Sequence, residues 1–158
     1  YGRYGFSDVL TALLALDTFV ELYNGGTIRL SEFVKRKPDK DILLSIIIRK
    51  GKRQFRYQSV RRTKTDFPVI ACAVVTGIVH GKESWYISVG ARPMKAALLE
   101  KHWEIPDDAS EEEIGKYASE AAAEFTYGTN MRGSADYRRH LAEVLLRREI
   151  SSILAERR

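Results

Sequence analysis

The sequence predicts an α+β domain in which antiparallel β-hairpins pack against C-terminal helices. Residues 19–89 run as short apolar or alternating stretches punctuated by Asn24-Gly25-Gly26, Lys50-Gly51-Lys52 and His80-Gly81-Lys82, which is hairpin turn chemistry. Residues 110–158 carry apolar side chains at helical spacing behind two serine caps. With 44% hydrophobic and 30% charged residues over 158 positions, the chain has the apolar surface for one core-bearing domain.

The elements follow in order. Ser7 is the natural N-cap of a helix carrying Val9, Leu10, Leu13, Leu14 and Leu16, with Asp8 in its first turn, where a carboxylate is favoured. Residues 19–23 and 27–30 form a hairpin across Asn24-Gly25-Gly26, residues 31–34 a helical turn, and residues 36–40 a polar loop around Pro38. Residues 42–49 and 53–60 read as a second hairpin across Lys50-Gly51-Lys52. Its first arm is apolar throughout and is expected to be buried on both faces. In its second arm Phe55, Tyr57 and Ser59 share one face, and Gln54, Arg56 and Gln58 the other. A third hairpin joins residues 69–79 to 84–89, with Cys72 as a small buried hydrophobe.

Pro93 stands at the first position of a short helix through about Glu100. Ser110 and Glu113 make a capping box, behind which Ile114, Ala118, Ala121, Ala122 and Phe125 share a face, until Gly128 ends the helix. Ser134 caps a long last helix with Tyr137, Leu141, Val144, Leu145 and Leu154 on one stripe; Arg138, Arg139, Arg147 and Glu149 are expected to face outward.

Composition excludes several chemistries. One cysteine allows no internal disulfide, cysteine-based zinc site or iron–sulfur cluster held by this chain alone, and His80, His102 and His140 lack metal-ligand spacing. Apolar runs fall short of a bilayer span and no secretory signal is evident, so a soluble cytoplasmic chain is expected, with no membrane partner. The net charge is +5, yet residues 29–64 hold 13 Lys/Arg against 3 Asp/Glu. That segment is either an anion-binding face or a solvated hairpin whose lysines protect an edge strand. No nucleophile elbow, P-loop or dinucleotide fingerprint is present. Gly2 and Gly5, ahead of the Ser7 helix, offer backbone N–H groups to a phosphate or hydroxyl. Residue chemistry alone gives an anion-tolerant binding module.

Three stretches carry a resemblance. Residues 7–17, SDVLTALLALD, resemble the S-D-x-x-x-A-L-L-A-L-D-A helix of the FAD subunits of molybdenum hydroxylases, the xanthine dehydrogenase and carbon monoxide dehydrogenase family. Ser59-Val60-Arg61-Arg62 with Asp66-Phe67-Pro68-Val69-Ile70-Ala71 resembles the family's "RR…DF…VA" approach to its C-terminal domain. Residues 132–142, RGSADYRRHLA, are very similar to its terminal R-x-S-A-E-Y-R-R-H-L-A helix. The three stand in family order.

The resemblance implies that residues 1–52 are the C-terminal end of the FAD-binding domain and residues 53–158 the flavoprotein's C-terminal α+β domain. It implies a C-terminal piece of a longer subunit, since the family's two glycine-rich FAD loops belong upstream of Ser7, with at most the tail of the second in residues 1–6. On this pattern Ser7 and Asp8 approach the cofactor, Leu43 sits near the isoalloxazine ring, and Tyr57 replaces a lysine that some members carry near the flavin. A phenol there brings no positive charge. The implied reaction is electron relay: from 2Fe-2S clusters on an iron–sulfur small subunit, through FAD, to NAD or another acceptor. A molybdopterin-binding large subunit, holding the molybdenum cofactor, oxidises the substrate. The rival readings are a docking domain without flavin and, from Phe55 and Tyr57 among arginines, a nucleic-acid binder; no recognition helix or RNA motif supports the latter, and no nucleic-acid partner is expected.

Overall fold

The structure is a computed structural model that describes residues 7–37, 39–79 and 81–157; Gly2, Gly5, Pro38 and His80 lie outside the described residues. The elements are α1 (Asp8–Ala15), β1 (Phe19–Leu22), β2 (Gly26–Arg29), α2 (Leu30–Phe33), β3 (Leu43–Ile47), β4 (Arg53–Val60), β5 (Ile70–Val79), β6 (Lys82–Gly90), β7 (Ala97–Lys101), α3 (Glu111–Ala123) and α4 (Ala135–Ala155). They form a three-stranded sheet in the order β2-β1-β3 and a four-stranded sheet in the order β4-β5-β6-β7, antiparallel throughout. The larger sheet is the middle layer. One face carries Ile70, Cys72, Val74, Trp85, Ile87 and Val89 against α3 and α4. The other turns Ala73, Val75 and Tyr86 toward Ala15 of α1.

The helix starts are where the capping chemistry puts them. Ser7 Oγ accepts from the Leu10 amide at 3.1 Å and Ser134 Oγ from the Tyr137 amide. Ser110 and Glu113 close a full capping box, with the Ser110 amide donating to Glu113 at 2.8 Å. The first hairpin turns on Gly26 at φ +64, and the Asp41 carboxylate accepts from the Asn24 and Gly25 amides at 2.9 and 2.8 Å. Those bonds, the Asn24 amide's first, hold the Asp41 carboxyl below its ordinary range. Cys72 is buried between β4 and β6, and burial pushes its thiol up.

Five expectations are corrected. Residues 42–60 are not a hairpin. β3 pairs with β1, Phe19 opposite Ile47, whereas β4 pairs with β5 from Arg53–Gly77 to Val60–Ile70. Lys50-Gly51-Lys52 is therefore a crossing between sheets. Nor is β3 buried on both faces: it is an edge strand, and Ile42, Leu44, Ile46 and Ile48 are 39–62% exposed. The segment after Pro93 is a strand, β7, because Ala97 and Leu99 serve the α3/α4 core while Leu98 serves the opposite core. This period of two outweighs the proline signal.

Helix α3 stops at Ala123 rather than at Gly128, whose amide donates instead to the Arg92 carbonyl at 2.6 Å. The buried stripe of α4 is Arg138, Ala142, Leu145, Leu146, Glu149, Ile150, Ile153 and Leu154, with Tyr137 exposed. The stripe is rotated by about one residue from the apolar pattern, because two charged residues lie on it. Arg138, 1% exposed, donates to the Ala91 carbonyl at 2.6 Å and also bonds the Val69 carbonyl and the Asn130 side chain. Glu149 is 0% exposed and neither carboxyl oxygen closes a hydrogen bond. Burial pushes it up to about 8 against the weaker pull of the Gln58 amide and Arg56. Among the described residues no helix is long and apolar enough to cross a membrane.

Candidate functional site

Along β4 the period of two puts Phe55, Tyr57 and Ser59 in a row under α1, and the row runs on to Arg61 past the strand end. From above, Asp8, Val9 and Ala12 present the first turn of α1. Between them lies a cleft of about 400 Å³, bounded by Asp8, Val9, Ala12, Phe55, Tyr57 and Arg61. α1 can lie this close to the larger sheet because Gly90 of β6 has no side chain: a Cβ there would stand 2.0 Å from Thr11 Oγ1.

Arg61 organises the polar end. Its guanidinium donates to Asp8 Oδ2 at 2.7 Å, to Ser59 Oγ at 3.1 Å and to the Asp66 carbonyl at 2.8 Å. The Asp8 bond raises the guanidinium above its ordinary value. Tyr57 is half-buried, and its phenol is pushed up, by burial first and by the Asp8 charge second, against Ser59 and Arg61. Its hydroxyl lies beside those two side chains without closing a hydrogen bond, and Asp8 Oδ1 is likewise buried and unpartnered. Tyr57 and Asp8 both line one cleft with apolar walls of Val9, Ala12 and Phe55, and each keeps one buried polar atom without a partner. Unpartnered buried polar groups need an explanation, and a bound group with complementary donors and acceptors is one.

Of the residues singled out in sequence, the structure brings Asp8 and Tyr57 together. Ser7 stands beside them, its Oγ engaged in the cap. Leu43 does not line the cleft; it packs on the core formed by Leu10, Leu13 and Leu14 of α1 with Val20 and Leu30, beneath the helix. Phe55 and Arg61 were missed as site residues. The signal was there: extending the Phe55–Tyr57–Ser59 alternation by two positions reaches Arg61. Arg61 also supplies the positive charge beside Tyr57 that the phenol itself lacks, although Asp8 neutralises it.

The three family-like stretches meet here. Asp8 of the first binds Arg61 of the second. Asp66 of the second pairs with Arg132 of the third at 3.5 Å, and the Arg132 guanidinium lies 5.3 Å over the Phe67 ring. Arg138 of the third holds the Val69 carbonyl of the second. Residues far apart in sequence form one connected cluster. Residues 55–153 match the family model of the CO dehydrogenase flavoprotein C-terminal domain. The chain belongs to that family.

Solved structures share the fold. Quinoline 2-oxidoreductase from Pseudomonas putida 86 superposes with a TM-score of 0.76 at 16% identity, covering 98% of this chain and 59% of that one. Reconstituted CO dehydrogenase from Oligotropha carboxidovorans gives 0.69 at 20%, covering 92% and 56%. CO dehydrogenase from Hydrogenophaga pseudoflava lacking the Mo-pyranopterin moiety of the molybdenum cofactor gives 0.67 at 18%, covering 89% and 57%. The flavoprotein-domain chain thus spans under three fifths of each. No curated protein sequence matches it.

The basic segment does not form one continuous patch. Its arginines are tied to separate elements: Arg29 to Asp17 and Glu100, Arg53 to the Leu16 carbonyl, Arg56 to Ser152 and Glu156, Arg62 to the Met131 carbonyl. Exposed lysines, among them Lys35, Lys50, Lys52 and Lys64, make up the remainder together with exposed Arg36 and with Arg49, which lies over the Phe19 ring. Among the described residues no group of three or more His, Cys, Asp or Glu is placed to hold a metal ion.

Proposed function

We propose that this chain is part of the FAD subunit of a molybdenum hydroxylase-type oxidoreductase, and that the cleft between α1 and β4 faces the bound flavin. The observation that carries the reading is one apolar-walled cleft lined by both Asp8 and Tyr57, each of which holds a buried polar atom without a partner. A planar heteroaromatic with a hydrogen-bonding edge fits that donor set. Family membership supports FAD, and the CO dehydrogenases among the structural neighbours support a molybdenum-bearing partner. The proposed partners are a molybdopterin-binding large subunit and an iron–sulfur small subunit with 2Fe-2S clusters, with NAD or another acceptor receiving the electrons in the cytoplasm.

FAD supplies the redox chemistry when bound. The chain's own residues position and shield. Tyr57 donates its phenolic proton as a hydrogen bond. Asp8, fixed by Arg61 and by the cap at Ser7, accepts one. Val9, Ala12 and Phe55 exclude water, and Leu43 seats α1 from beneath.

Residues 1–52 are proposed to be the C-terminal end of the FAD-binding domain and residues 53–158 the C-terminal domain. The open edge and exposed apolar row of β3 support that division, for a strand of this kind is ordinarily covered.

The test is flavin content of the complete polypeptide containing this sequence, isolated natively and then denatured. One FAD released per polypeptide, with occupancy reduced in a Tyr57→Phe, Asp8→Ala double variant, is the expected result. A polypeptide without flavin that still co-purifies with its partner subunits would sink the electron-relay reading in favour of a docking domain.

A further inference from the structure

A second cavity, of about 280 Å³, lies on the other side of α1, where the end of α2 meets the segment leading into β7. Its apolar wall is Leu14, Val34 and Leu98; its rim is Ser31, Lys35, Arg92 and Lys95, with Glu100 at one edge. That volume lies just below the range of about 300–1,000 Å³ usual for small-molecule sites, which suits a small ligand.

The charges are unusually one-sided. Arg92 is buried, 7% exposed, and donates only to backbone carbonyls, those of Thr126 at 2.6 Å and Lys95 at 2.8 Å, while its Nε is buried without a partner. Burial pulls this guanidinium below its ordinary value. Lys95 Nζ makes one hydrogen bond, to the Val34 carbonyl at 3.1 Å, which leaves two of its three donors open. Lys35 is exposed at the rim. Among the described residues no carboxylate pairs with Lys35, Arg92 or Lys95, and Glu100 is already bound to Arg29 at 3.2 Å. A buried cation with no counter-ion is costly, and an arriving anion relieves that cost.

From this cavity and its uncompensated rim we infer a binding site for a small phosphate-bearing molecule. The phosphate sits at Lys35, Lys95 and the Ser31 hydroxyl, and the apolar moiety lies against Leu14, Val34 and Leu98. Arg92 supplies charge from beneath rather than hydrogen bonds, because both its terminal nitrogens are engaged. The site is separate from the α1–β4 cleft and does not rest on the flavin assignment.

The test is calorimetric titration of the complete polypeptide with phenyl phosphate and with inorganic phosphate. Saturable one-site binding is expected, with phenyl phosphate about tenfold the tighter because its ring covers apolar surface. Lys35→Glu, which breaks no contact in the fold, is expected to weaken binding by about tenfold or more. Lys95→Met does the same, and its melting temperature is checked because Nζ anchors Val34; should that variant unfold, Lys35→Glu decides alone. Lys64→Glu, the same charge change elsewhere, leaves affinity within about twofold at physiological salt. Absence of saturable binding overturns the inference. So does binding that Lys35→Glu leaves unchanged, or that Lys64→Glu weakens equally, since attraction would then come from net charge and not from this cavity.

Discussion

Beyond the end of β4, on one of its faces, Arg61 meets Asp8 at a rim about one-third exposed, beside a cleft that Asp8 and Tyr57 both line. On the opposite face, Arg56 reaches past the sheet to Ser152 of α4 and Glu156 at its end, while Glu149, one turn earlier and 0% exposed, closes no hydrogen bond. The two faces of this one strand thus meet an acid of a packed helix, Asp8 of α1 and Glu149 of α4, in opposite regimes. Where water reaches, the acid is paired with an arginine. Where the core is closed, the acid is kept neutral by burial. The first arrangement suits ligand recognition, and the second ties local packing to pH. The more perturbed carboxyl thus lies on the face opposite the cleft.

The largest expected effect comes from Glu149. Its folded-state pKa, about 8, stands above the ordinary 4.5, so between those values the native state keeps a proton that the unfolded chain releases. Stability therefore falls as pH rises through that window and levels off above about pH 8. Glu149→Gln removes the slope. Relative to the parent, the variant gains on the order of 4 kcal/mol between pH 4.5 and 9. Urea denaturation at several pH values checks this. Parallel curves for the two proteins would mean that Glu149 is ionised or solvated, and the contrast between the two faces would collapse.

Gly90→Ala acts on the cleft side. Its Cβ would meet the buried Thr11 side chain, and relief requires α1 to lift from the sheet. A loss of about 1–3 kcal/mol in chemical denaturation is expected, with a weaker cleft contact that lowers flavin retention. Full stability with normal flavin content would show that Thr11 rotates out of the way.

These particulars also show what was legible in sequence. Caps were, because Ser7, Ser110 and Ser134 act on neighbours three residues away. The two faces of β4 were, because strand alternation is local. Strand partners were not: Lys50-Gly51-Lys52 has hairpin chemistry, yet β3 and β4 join different sheets, a choice made by long-range burial. The stripe of α4 was misphased because a buried arginine and a buried glutamate look polar until their surroundings are known. At the cleft, Asp8 and Tyr57 came from family resemblance, and the β4 alternation reaches Arg61, but its pairing with Asp8 across 53 residues required the fold.

Asp8→Asn is a smaller change. Both partners are about one-third exposed, so loss of the Arg61 pair and of the first-turn charge is expected to cost about 0.5–1 kcal/mol. The measurement is a double-mutant cycle with Arg61→Met, in which a coupling near zero would mark the pair as incidental.

The smallest stability effect and the most informative one is Tyr57→Phe. A buried tyrosine whose hydroxyl is bonded within the protein loses about 1 kcal/mol or more when that hydroxyl is removed. Here the hydroxyl bonds nothing, while the ring packs with Phe55 against Ala15, Val75 and Tyr86. Removing it therefore leaves the packing intact and spares a desolvated group, so stability is expected to stay within about 0.5 kcal/mol of the parent. Retention of flavin by the complete polypeptide is expected to fall by about tenfold, the loss of one hydrogen bond made in a water-excluded site. An unchanged stability with reduced flavin affinity is a combination that a packing residue does not produce, since packing defects move both. Reduced stability with unaltered flavin binding would return Tyr57 to the core and leave the cleft to Asp8 alone.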